Sequence, residues 1–63
     1  MDLKSFREDK LKITQAEFAE LIGVEQSSIS KWEQDIRNPD IYTIVKMCKF
    51  FNVSADYFLG LED

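Results

Sequence analysis

Histidine is absent from this 63-residue chain, and the punctuating residues are scarce: one cysteine, one proline and two glycines. The missing imidazole removes the commonest general base and any zinc-finger spacing, and the lone thiol, Cys48, has no internal partner for a disulfide. No metal site and no cofactor are expected. With no glycine-rich phosphate loop and no paired carboxylates placed for a cleft, the chain does not read as an enzyme. No apolar stretch approaches the roughly 18 residues that cross a membrane, and no signal peptide is expected, which predicts a cytoplasmic protein. Positive charge is also in deficit. Twelve acidic residues against eight basic ones give a formal net charge of −4, whereas a domain that grips nucleic acid ordinarily carries a basic footprint. Exposed charges are screened beyond about 8 Å at physiological ionic strength. The distribution of the few cations therefore decides more than the sum.

What is present suits a small helical domain. Hydrophobic residues make up 44% of the chain, with five Phe, two Tyr and one Trp. A chain this short buries only about 60% of its unfolded surface, so it holds one domain, residues 1–63, and each apolar position counts. Asp2 is placed to cap a first helix from Leu3 to about Lys10, with Leu3 and Phe6 on one face and Arg7 beside them. Thr14-Gln15-Ala16-Glu17 is a capping box that starts a second helix whose buried face is Phe18, Ala19 and Ile22. A third helix, about Gln26 to Glu33, turns Ile29 and Trp32 inward and keeps a small, polar opposite face. Gln34 to Pro39 reads as a loop, because Asn38 before proline is pushed out of the α region. Asp40 caps a fourth helix, whose stripe is read as Ile41, Ile44, Val45, Cys48 and Phe51, with Asn52 at its left-handed exit. Ser54 caps a last short helix, Ala55 to Leu59, which Gly60 ends.

The second and third helices carry the most specific spacing. From Gln15 onward, a small residue stands at Ala19, glycine at Gly23, and apolar residues at Phe18, Ile22, Val24, Ile29 and Trp32. That is the pattern of a helix-turn-helix over about residues 15–33. Two helices crossing steeply touch near Ala19, where a larger side chain would push them apart, and Gly23 takes a positive φ without a Cβ penalty. A helix that enters the major groove, about 12 Å wide, must carry short side chains whose polar groups match base edges. Gln26, Ser27, Ser28 and Lys31 meet that requirement. The competing reading is a solvated polar helix face.

Ile13-Thr14-Gln15, Glu17-Phe18-Ala19, Ile22-Gly23-Val24, Ile29-Ser30-Lys31-Trp32-Glu33, Asn38-Pro39 and Phe51-Asn52-Val53-Ser54 with Asp56-Tyr57-Phe58-Leu59-Gly60 stand in an order that resembles the Xre or Cro/cI-type helix-turn-helix regulators. The resemblance covers nearly the whole chain. It implies an all-α, compact five-helix, lambda-repressor-like domain, of bacterial or phage origin, that binds a double-stranded DNA operator as a homodimer. Gln26, Ser27 and Lys31 fall on the family's base-reading positions, and Glu25, Ser28 and Ser30 are further contact candidates. Phosphate contacts are expected from Gln15, at the amino end of the second helix, and from Gln34, Arg37 and Asn38 in the loop. The resemblance also pairs Arg7 with Glu33, and places the dimer interface at Phe50, Tyr57 and Leu61, which fall off the main stripes along with Leu21. Trp32 reads as core rather than as a base-stacking ring, and Cys48 as a small buried hydrophobe.

Two departures stand out. The linker Lys10-Leu11-Lys12-Ile13 lacks the family's glycine and is longer by one residue, which leaves the orientation of the first helix open. Glu25 replaces the usual Ser or Thr before the third helix. It reads as a carboxylate cap, as an acceptor for cytosine N4, or as an electrostatic brake on non-specific binding. The proposed face still holds Lys10, Lys12, Lys31 and Arg37 against Glu25 and Asp35, a positive local balance. A repressor-like regulator is the leading expectation. The alternative is a protein-interaction module such as an antitoxin or co-regulator, suggested by the acidic surface and the outlying aromatics.

Overall fold

Short polar side chains begin most of the helices, and left-handed residues end three of them. The computed structural model describes residues 3–59, and helices α1 (Leu3–Ser5), α2 (Gln15–Ile22), α3 (Gln26–Glu33), α4 (Ile41–Phe51) and α5 (Ala55–Leu59), with a π-helical segment Phe6–Leu11 continuing α1, account for their regular structure. The Thr14 hydroxyl accepts from the Glu17 amide at 3.1 Å, and the Glu17 carboxylate accepts from the Thr14 amide at 2.9 Å. Asp40 accepts from the Thr43 amide at 2.8 Å and Ser54 from the Tyr57 amide at 3.2 Å. Each of these satisfies a helix-terminal N–H that would otherwise lack a partner. The Asp2 cap, Gly60 and Leu61 lie outside the described residues.

The first helix differs from the sequence expectation. Only Leu3–Ser5 is α-helical, and Phe6–Leu11 widens to π geometry before ending at Lys12 with φ 56°. The carboxyl ends of α2 and α4 show what a regular exit looks like. At each, the left-handed residue and its successor both donate to one carbonyl: Gly23 and Val24 to Ala19, Asn52 and Val53 to Cys48. At the first helix the corresponding donors, Lys12 and Ile13, reach Arg7, one residue further back. The extra residue of the linker is thus taken up inside the helix, which is how a single insertion commonly creates a π turn. Lys12 accepts the left-handed conformation that glycine would adopt more cheaply.

The core is Leu3, Phe6, Phe18, Ala19, Ile22, Ile29, Trp32, Met47 and Phe58, with Ile44 buried beside it. Phe6 is its hub: its ring meets Phe51 and Phe58 edge-on at 5.2 Å each and Tyr57 at 5.8 Å, while Phe18 meets Phe51 at 5.7 Å. Edge-to-face pairs at these distances place the positive ring edge on the negative face. Trp32 is buried, as its register with Ile29 indicated. The stripe read for α4 needs correction. Ile44, Met47, Cys48 and Phe51 face inward, whereas Ile41 is 72% exposed and Val45 43%. Seven of the eleven α4 residues are aliphatic, sulfur-bearing or phenylalanine, so two adjacent stripes satisfy the same helical period, and only packing chooses between them. Cys48 is half-buried against the core rather than fully enclosed.

Candidate nucleic-acid interface

Gly23, at φ 75°, ends α2, and α3 starts three residues later with Ile29 in the same buried core as the small Ala19 of α2. With Ile29 and Trp32 buried, the outward face of α3 falls to Ser27 and Lys31, four residues apart, with Gln26 and Ser30 to one side and Ser28 to the other. Gln26, Ser27 and Lys31 are exposed, while Ser28 and Ser30 are half-buried. Ser30 is partly committed, since its hydroxyl accepts from the Gln34 side-chain amide at 2.7 Å.

Glu25 stands at the N-cap of α3 with extended backbone, and its carbonyl receives the Ser28 amide at 3.0 Å, yet its side chain makes no capping bond. The cap reading is therefore wrong. Ser, Thr, Asp and Asn cap because their oxygens sit close to their own backbone, and a glutamate carries its carboxylate one methylene too far. The carboxylate is left exposed beside Gln26.

The other end of α3 is held on two sides. Asp35 adopts φ 58°, and the Asp35 and Ile36 amides donate to Trp32 and Lys31 at 3.2 and 3.0 Å, a Schellman arrangement that fixes the start of the loop. From the inside, Glu33 receives two bonds from the Arg7 guanidinium, Nε at 2.7 Å and Nη2 at 3.1 Å, and a third from Gln15 Nε2 at 3.0 Å. Arg7 Nη1 donates to the Ile13 carbonyl at 2.8 Å. The expected Arg7–Glu33 pair is present and deeply placed, with side chains 9% and 3% exposed. Burial pushes the Glu33 carboxyl upward, but the bonds from Arg7 and Gln15 and the Arg7 charge outweigh it and hold it below its usual range. The Arg7 guanidinium is pushed up, first by its bond to Glu33.

Glu33 thus ties Gln15, at the first turn of α2, to the carboxyl end of α3. The family resemblance implied the Arg7–Glu33 pair but not Gln15 as its third member, because Gln15 already had a reading as a surface contact. Arg37 and Asn38 are exposed beyond the Schellman turn, as are Lys10 and Lys12 near the start of α2, so the cations assigned to this face are all at the surface. Ile36 is 67% exposed among them, a residue to which the sequence reading gave no role. On α4, Phe50 is exposed, whereas Tyr57 is half-buried against Phe6 and Phe58 and offers only part of its ring to a partner. Leu61 lies outside the described residues. No group of metal-ligating side chains and no membrane-length helix occurs among the described residues.

A tight turn between two short helices, with a polar outward face on the second, defines a helix-turn-helix domain. The chain belongs to the Xre or Cro/cI-type Helix-turn-helix family, whose profile matches residues 3–58. It is similar to the HTH-type transcriptional regulator ImmR of Bacillus subtilis (strain 168), 39% identical over 61 residues, covering 97% of this chain and 47% of that protein. It is also similar to the uncharacterized HTH-type transcriptional regulator YobD of the same organism, 36% identical over 52 residues, covering 82% and 46% of the two chains. Repressor protein C2 of Salmonella phage P22 is 36% identical over 53 residues, covering 84% of this chain and 24% of the repressor. The chain thus spans about half the length, or less, of these relatives. No solved structure matches it significantly.

Proposed function

We propose that the chain is a sequence-specific DNA-binding transcription regulator, acting as a repressor at an inverted-repeat operator as a homodimer. The observation that carries this is α3: an eight-residue helix clamped at its carboxyl end by Glu33 and the Schellman turn, with Gln26, Ser27 and Lys31 exposed along it. In the major groove, Gln26 pairs with adenine N6 and N7, Lys31 with guanine O6 and N7, and Ser27 with either base. Ser28 and Ser30 stand at the margins of that contact. Glu25, no longer a cap, is either an acceptor for cytosine N4 or a brake on non-specific binding. Gln15, Gln34, Arg37 and Asn38 hold phosphates, Gln15 with the amide hydrogen that Glu33 leaves free. The dimer forms at the end of α4 and at α5, through Phe50, the outer part of Tyr57 and Leu61. The family membership and the names of the relatives support regulation, and C2 is named a repressor.

Selection of bound duplexes from a random pool tests this directly. Inverted half-sites about 10 base pairs apart, centre to centre, are expected. Lys31→Ala and Gln26→Ala are each expected to cost about 1 to 3 kcal/mol and to relax one base pair per half-site. Arg37→Ala is expected to weaken all sequences alike and to lower the salt slope by about one per subunit. Failure to prefer any duplex over competitor DNA at moderate salt would replace this reading with the protein-interaction one.

A further inference from the structure

The α4 helix carries a second apolar stripe that the core does not use. Tyr42 is 77% exposed, Val45 43% and Phe50 54%, and together with Lys46 and Lys49 they line a shallow groove. Their spacing of 0, 3, 4, 7 and 8 residues is that of one helical face, about 12 Å long at 1.5 Å per residue. The end wall is pre-set, because the Phe50 ring leans edge-on against the core residue Phe51 at 4.9 Å. At one side a Cβ on Gly23 would stand 3.6 Å from the Lys46 ammonium, so this rim reaches the turn between α2 and α3.

We infer that this α4 groove is a docking site for an amphipathic helix of another protein, with apolar residues along its seam and carboxylates beside them. Charge selects this occupant. Both ionisable side chains that line the groove with a formal charge are lysines, in a chain whose total is −4. A second copy does not fit well. Placed across a two-fold axis through the groove, α4 against α4 gathers four ammonium groups, and an acidic patch of one copy in the groove of the next builds a head-to-tail contact that does not close. A helix-in-groove partner instead sets its anchors one turn apart against Tyr42, Val45 and Phe50 while its flanking carboxylates meet Lys46 and Lys49. Phe50 closes this groove and is also part of the dimer surface in the DNA-binding reading, so an occupied groove competes with the homodimer at that one residue, while Tyr42, Val45, Lys46 and Lys49 have no part in that reading.

The test uses the isotope-labelled chain and two synthetic peptides of about 18 residues, long enough to hold a helix. One carries leucines at helical spacing flanked by glutamates; the other has every glutamate replaced by lysine. The amide signals of Tyr42 to Phe50 are expected to shift and saturate with the glutamate peptide, with affinity about three- to tenfold above that of the lysine peptide. Lys49→Glu alone, and Lys46→Glu with Lys49→Glu, are expected to reverse that preference while leaving duplex binding unchanged. Equal shifts with both peptides, or none on α4, would overturn the inference. So would loss of duplex affinity in the charge-reversed variants, which would give the lysines to DNA, or self-association of the chain abolished by Val45→Glu, which would give the groove to a second copy.

Discussion

Individual residues in the left-handed region are the simplest place to measure backbone cost. At Gly23, φ 75°, an added methyl would meet only the flexible Lys46 ammonium, so Gly23→Ala should lose about 1 kcal/mol from backbone strain alone. Lys12, at φ 56°, is the reverse case. Lys12→Gly relieves the same strain at the expense of a looser unfolded chain, and a net gain of about 0.5 kcal/mol is expected in a urea titration. The Arg7–Glu33 pair operates on a larger scale. Arg7→Met or Glu33→Met leaves an unpaired buried charge and should cost about 3 to 5 kcal/mol, while the double variant recovers part of the loss. Because the Glu33 carboxyl is held below its ordinary range, its contribution is complete above about pH 4.5, the unfolded value, and disappears as the pH falls through the lower folded one. Glu33→Gln should therefore show a flatter acid limb than the parent. Glu17 and Asp40, also lowered by their bonds to Thr14 and Thr43, keep their share of that limb in both proteins, so the difference isolates Glu33.

At the level of whole elements, helix starts were legible and helix interiors less so. Thr14, Asp40 and Ser54 announced α2, α4 and α5 because a short polar side chain before an apolar period has few other uses. Glu25 misled for the same reason: its position was right and its side-chain length wrong. Glu25→Ser should supply the missing bond to α3 and raise stability by about 0.5 to 1 kcal/mol, measured as a higher urea midpoint. The α4 stripe was misread where two apolar faces compete, and Met47, wholly buried, shows that the better-packed face prevailed. The π segment was beyond the reach of periodicity, since a period averaged over one turn does not register one added residue. Deleting the exposed Lys10 should return Phe6–Leu11 to α geometry with Phe6 and Arg7 in place, leaving the melting temperature within a few degrees of the parent.

Over the whole molecule, the outward face of α3 was legible in the sequence, whereas the tertiary placement around it was not. The exposure of Gln26, Ser27 and Lys31 could be read because Ile29 and Trp32 fix the inner face of the same helix. The link from Gln15 to Glu33 spans 18 residues and has no local signature. The core joins its helices through Phe6, Phe18, Trp32 and Phe58 and rests on neither a disulfide nor a metal group among the described residues, so chelator and reductant should leave the melting temperature unchanged. The hydrogen bonds around Arg7 have a further consequence for how the domain comes apart. They tie the first helix, the linker carbonyl of Ile13, the start of α2 and the end of α3 into one unit. The amino-terminal helix is then no detachable arm: its amide protons should trade with deuterium only when α3 opens too, at a common free energy, while α5, which rests on Phe6 through the Tyr57 and Phe58 rings and has no link to Arg7 or Glu33 among those bonds, is expected to open earlier.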